Sequence, residues 1–132
     1  MSTGGGLDAW VNAYIAYQSA PPQGPDGDEH PYWWAVERSQ GLVTESVDPE
    51  ELWRFILSVL HQRPSQHVLG MLGAGPLEDL VDYFGPAFID RIEAEALRSP
   101  EFRDVLSSVW QSSTPEVWFR VERAVGTRRG EV

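Results

Sequence analysis

Apolar residues recur at helical spacing along most of the chain. Leu7, Trp10, Val11, Tyr14 and Ile15 follow the i, i+3, i+4, i+7, i+8 pattern of one buried helical stripe, and the helix they predict ends before Ala20-Pro21-Pro22. A second stripe runs through Leu52, Phe55, Ile56, Val59 and Leu60. Leu77, Leu80, Val81 and Phe84 form a third, and Phe88, Ile89, Ile92 and Ala96 a fourth. Phe102, Val105, Leu106, Val109 and Trp110 line another helix, and Val117, Trp118, Val121 and Val125 the last. Shorter helices are expected from Pro31 through Trp33, Trp34 and Val36, and through Val68, Met71 and Leu72. No alternating pattern of useful strand length is present.

The boundaries between these stripes carry start signals. Asp48-Pro49-Glu50-Glu51, Ser99-Pro100-Glu101 and Thr114-Pro115-Glu116 each place a capping side chain before a proline at the first helical position. Gly75-Pro76 and Gly85-Pro86 read as two further starts, with Gly85 ending the preceding helix in the left-handed conformation. Together they predict a tight helical corner between Leu69 and Arg98 that carries Glu78, Asp79 and Asp82 on its outer side. The expected fold is all-α, a single domain over residues 7–125 with seven to eight short helices, and stacked helical hairpins fit the brief joints. Residues 1–6 read as a flexible leader, 19–30 as an exposed acidic Pro/Gly loop, and 126–132 as a polar tail.

Charge changes this picture more than composition does. Twenty acids against ten bases give a formal net charge of −10, and every base is arginine. Residues 1–50 hold eight acids and one base, whereas 101–132 hold five of each, so acidity is concentrated toward the N-terminal half. That balance disfavours direct nucleic-acid binding and makes a basic partner protein the natural complement. There is no cysteine, hence no disulfide framework and no thiolate site. No apolar run has the length of a membrane span and no signal peptide is visible, so a cytoplasmic location without membrane attachment is expected.

Candidate chemistry is sparse. Asp26-Gly27-Asp28-Glu29-His30 crowds oxygen ligands, but the turn glycine is misplaced for a calcium loop and Pro31 intrudes. His61 and His67 lack helical ligand spacing, and Gly70, Gly73 and Gly75 are followed by no Gly-Lys-Ser/Thr. No metal or cofactor is expected, and no catalytic constellation stands out. Glu78 and Asp79 suit the first turn of a helix, where its dipole favours anions. Glu78 and Asp82, however, form a like-charge i, i+4 pair that costs roughly 0.2–0.5 kcal/mol, which an internal arginine such as Arg54 or Arg91, or a basic partner, would offset. Glu93 falls at the border of a buried stripe. Trp10, Trp110 and Trp118 sit on buried stripes and read as core. Trp33 and Trp34 point about 100° apart on a helix, so unequal burial is expected, with one available as an aromatic anchor for a cation.

The run LGAGPLEDL (Leu72–Leu80), the Gly85-Pro86 corner, FIDRIEAEA (Phe88–Ala96) and the segment from Phe102-Arg103 to Val109-Trp110 resemble a family of small bacterial domains with no assigned function. Trp33-Trp34 and the helix around Trp53 extend the likeness over about residues 30 to 120. The resemblance implies a compact helical domain and no particular activity.

The function expected on these grounds is a non-catalytic, acidic, protein-binding domain. Its most concrete form is an inhibitor or immunity-type protein that masks a basic surface, with Glu78, Asp79, Asp82, Trp33 and Trp34 as candidate contacts. Two alternatives stand beside it. One is a small enzyme or ligand-binding domain with a pocket near Trp33, Trp34 and the Gly75-Pro76 corner; the other is an adaptor or oligomerisation module.

Overall fold

Four helices begin on a side-chain cap, and the caps set their boundaries. In the computed structural model, which describes residues 6–20 and 30–128, Asp48 opens α3 (Pro49–His61) by accepting from Glu50 N at 2.9 Å. Glu51 reaches back to Asp48 N at 3.4 Å and completes a capping box. Ser65 caps α4 (Gln66–Leu72), Ser99 caps α6 (Pro100–Leu106), and Thr114 caps α7 (Pro115–Arg128) through Val117 N. Each such cap stabilises its helix by about 1 kcal/mol. α1 (Leu7–Ser19) and α2 (Trp33–Ser39) precede them, and α5 spans Glu78–Arg98. The described residues hold helices and turns and no strand. The last helix continues to Arg128, past the expected start of the tail; the leader and the acidic stretch 21–29 lie outside the described residues.

α3 is the axis of the core because it is apolar on two sides. Phe55 faces α1, where Trp10 stacks on it at 4.0 Å between ring centroids and Tyr14 meets it edge-on at 5.1 Å. Trp53 faces the other way, against Phe88 of α5 and Phe102 of α6. Leu52, Ile56 and Val59 are fully buried between the two clusters. α1 thus packs on α2, α3 and α4, while α5 packs on α3, α6 and α7. Burial pushes the Tyr14 hydroxyl up from its ordinary pKa.

The central corner differs from its expected form. Gly75-Pro76 starts no helix: α4 runs through one π-helical turn, Gly73–Leu77, directly into α5. Inside a helix, proline removes the i→i−4 bond and crowds the carbonyl four residues back. The wider turn accommodates it, with Glu78 N–H donating to Gly73 O five residues earlier. Gly85 is no left-handed cap either. The break falls one residue earlier, at Phe84 (φ −135°, ψ 24°), and leaves that side chain 37% exposed instead of on a buried stripe. Gly85 is needed for contact: a Cβ there would lie 2.5 Å from Ser113 Oγ and 2.9 Å from Val117 Cγ1.

Trp110 is a second correction. α6 stops at Leu106, so the helical register that buries Phe102 and Val105 does not extend to Trp110, which is 75% exposed. Trp10 is buried as expected and Trp118 is half-buried.

Glycine packing generates a paired expectation. A Cβ on Gly73 would sit 2.2 Å from the Val105 carbonyl oxygen, whereas one on Gly70 would meet nothing within 4 Å. Gly73→Ala should lower stability by about 1–3 kcal/mol through overpacking. Gly70→Ala, inside α4, should raise it by roughly 0.5–1 kcal/mol. Urea unfolding midpoints of the two variants check both signs.

Candidate functional site

A groove lies between α2, the loop 40–47 and the corner where α4 becomes α5. It has a volume of about 830 Å³, and Trp34, Glu37, Arg38, Thr44, Gly75 and Asp79 are among its lining residues. α2 is fixed above the core by one buried hydrogen bond, from Trp10 Nε1 to Ala35 O at 2.9 Å. Arg38 projects from the same helix. Its guanidinium carbon lies 4.2 Å over the Trp10 ring and a nitrogen lies 3.3 Å from Glu51. Since Phe55 also stacks within 4.0 Å of that ring, Trp10 is held between the two, and Arg38 serves the scaffold as well as the groove wall. Gly75 has open space where a side chain would be, and this leaves the corner side of the groove wide.

The three corner acids separate into two kinds. Glu78 accepts from the backbone N of Trp110 at 3.1 Å, and Asp82 from the backbone N of Ser113 at 3.3 Å. They hold the loop between α6 and α7 onto α5, and Ser113 takes a left-handed φ of 68° in doing so. Neither of the partners weighed from sequence is the one found. Arg91 instead forms a two-pronged pair with Glu50 at 2.7 and 2.6 Å, and Arg54 adds its charge beside the same Glu50. Asp79 is the exception. It is half-buried in the groove wall, and no hydrogen bond or ion pair reaches it among the described residues. Desolvation, then the neighbouring charges of Glu78 and Asp82, raise its pKa above the ordinary carboxylate value.

The other candidates are placed as follows. Trp33 and Trp34 are both half-buried. Trp33 turns toward Tyr17 at 5.7 Å and away from the groove, so only Trp34 lines it. Glu93 pairs with Arg120 at 2.5 Å, and the hydrogen bond to that guanidinium holds its pKa down. His61 and His67 are exposed. No group of three or more His, Asp or Glu is arranged to hold a metal among the described residues, and Asp26, Asp28 and Glu29 lie outside them. No described helix is long and apolar enough to cross a membrane. Glu37 and Arg38 are groove residues that sequence reasoning missed. The signal was present in the helical spacing, since Trp34 and Arg38 are four apart on α2 and share a face.

The two kinds of acid predict opposite effects on stability. A carboxyl whose folded pKa is raised binds its proton more tightly in the native state. Its contribution to stability therefore fades as pH rises from the unfolded value through the folded one, and the charged form opposes folding at neutral pH. Asp79→Asn should unfold at a higher urea concentration than the wild type at pH 7, with the gap closing as pH falls below the raised value. Asp82→Ala, which removes an acceptor from a backbone N–H, should instead lose about 0.5–1.5 kcal/mol. Urea titrations across pH 4–7, a range spanning roughly the carboxylate region upward, check both.

Neither the comparison with curated proteins nor that with solved structures gave a match. A family of unknown function, DUF6869, matches residues 22–129, a span that takes in α2 to α7, the groove and the whole of the corner. The chain belongs to that family.

Proposed function

We propose that this is a non-catalytic binding domain that receives a basic side chain of a protein partner in the groove between α2 and the α4–α5 corner. One observation carries the reading: among the described residues no hydrogen bond or ion pair meets the Asp79 carboxylate, which is half-buried in the groove wall beside Glu78 and Asp82. A carboxylate desolvated without a counter-charge is the kind of group that a partner's cation completes. Trp34 offers an aromatic face, and a cation over such a face gains about 0.5–2 kcal/mol as it is desolvated. Glu37 adds a second anion on the groove wall. The one cation in the lining among the described residues, Arg38, is already engaged with Glu51 and Trp10. Masking a basic surface, as an inhibitor or immunity-type protein does, is the form of this function that the net charge of −10 favours.

The reading narrows the expected contact set. Asp79 and Trp34 do the binding, Glu78 and Asp82 keep the loop beside the groove in place, and Trp33 belongs to the packing of α1 on α2. The test is capture from an extract of the native host with wild-type protein and with Asp79→Asn. A basic protein should be held by the wild type at low salt and released as salt screens the acids over a Debye length of about 8 Å at physiological strength. The folded Asp79→Asn variant should fail to hold it. A partner retained equally by both proteins, or indifferent to salt, would overturn the assignment. A small molecule found stoichiometrically bound by native mass spectrometry would favour the ligand-binding alternative.

A further inference from the structure

The Asp79 groove is not isolated. Ser46 and Val47 line it and also line a second depression of about 430 Å³. The second depression includes Phe84 in its lining, exposed there by the break in α5, and Leu42, Glu45, Asp48 and Glu51. Because they share Ser46 and Val47, the two depressions adjoin there and together make one track beside the loop. Its charges are one-sided. Glu51 is committed to Arg38 and to the capping box, and Asp48 to the start of α3. Glu45 is exposed and, among the described residues, no hydrogen bond or ion pair meets its carboxylate, which makes it the counterpart in the second depression of Asp79 in the first. Each depression thus offers an uncommitted carboxylate together with an aromatic side chain: Asp79 with Trp34, Glu45 with Phe84.

From this pairing we infer that the occupant is an extended peptide segment of the partner carrying two basic side chains, one seated in each depression. The inference rests on the binding role proposed above and adds to it the form of the ligand. Charge complementarity selects the occupant: among the described residues the lining holds three carboxylates that no cation meets, Glu37, Asp79 and Glu45, while its Arg38 is engaged with Glu51 and Trp10, and such a lining matches a dibasic segment and repels an acidic one. Arginine suits both seats, because its planar guanidinium stacks on an aromatic ring while its N–H groups bond a carboxylate. The exposed apolar surface of Val43 lines the first depression, where the aliphatic stem of the segment would run.

The experiment is calorimetric titration of the full chain with synthetic glycine–serine peptides. One series holds a single arginine; the other holds two arginines separated by one to five intervening residues. A two-arginine peptide of the right spacing should bind roughly tenfold to a hundredfold more tightly than the single-arginine peptide, as one further charged hydrogen-bonded contact allows. Glu45→Gln, which removes the charge at constant shape, should bring the affinity of that peptide down to the single-arginine level. Asp79→Asn should lower the affinity of the two-arginine peptide at least as far. If single-arginine peptides bind while no spacing of two improves on them, the dibasic inference is overturned and the Asp79 site stands. If neither series binds the wild-type protein, the inference and the proposed function fall together. The spacing series on the wild type decides the matter even where a variant proves unstable.

Discussion

Trp10 is the residue on which both halves of this structure depend. Its ring stacks on Phe55 of α3, its Nε1 bonds Ala35 of α2, and its remaining face is covered by the guanidinium of Arg38. A buried indole N–H without an acceptor would cost about 1–3 kcal/mol, so the site of Ala35 relative to α1 is closely specified. α2 has seven residues and no side-chain cap at its N-terminus, and a helix so short is marginal without tertiary support. The groove wall therefore owes its existence to the core beneath it. Trp34 and Arg38 hold their positions because Trp10 holds α2.

The acids show how the same residue type performs two kinds of work within one turn of helix. Glu78 and Asp82 are four residues apart on α5 and both reach the loop that leads into α7, where each accepts from a backbone amide. Their mutual repulsion is small, and a hydrogen bond from a neutral donor to a charged acceptor outweighs it. Asp79 lies between them in sequence but about 100° around the helix from Glu78. That rotation takes it off the loop and into the groove. Among the described residues no donor offsets its desolvation, and the charges of its two neighbours add to the penalty.

Signals whose two partners lie within a few residues, such as side-chain caps, are legible in the sequence, and those completed by distant residues are not. Asp48, Ser99 and Thr114 bond amides two or three residues away, so the chain itself contains both partners of each cap. The stripes of α1 and α3 were legible for the same reason, a fixed 3.6-residue period. Gly85 defeated the reading because a glycine at a helix break looks alike whether it supplies a left-handed φ or room for Ser113 and Val117, residues about thirty positions on. Pro76 reads as a helix start because proline is common at one, whereas here a π-helical turn, Gly73–Leu77, carries α4 into α5, with Gly73 close against the Val105 carbonyl. Trp110 continues the apolar spacing of α6 beyond the point where that helix ends. The corner acids were recognised as a group, but that backbone amides would claim two of them depended on the path of a loop that no spacing rule describes.

The arginines complete the argument about charge. Arg91 ties α5 to α3 through Glu50, Arg120 ties α7 to α5 through Asp90 and Glu93, and Arg38 ties α2 to α3 through Glu51. Each joins separate helices, and a planar guanidinium suits such crossings because it can grip a carboxylate with two parallel bonds. A chain with half as many bases as acids that commits these arginines to bracing its helix crossings leaves its excess carboxylates at the surface. The position of the surplus is then decided by geometry. Arg38 is drawn inward onto Trp10, so among the described residues the groove it borders has Asp79 and Glu37 with no second cation in its lining. The same contact that stabilises α2 against the core thereby leaves the described lining of the groove with more carboxylates than bases.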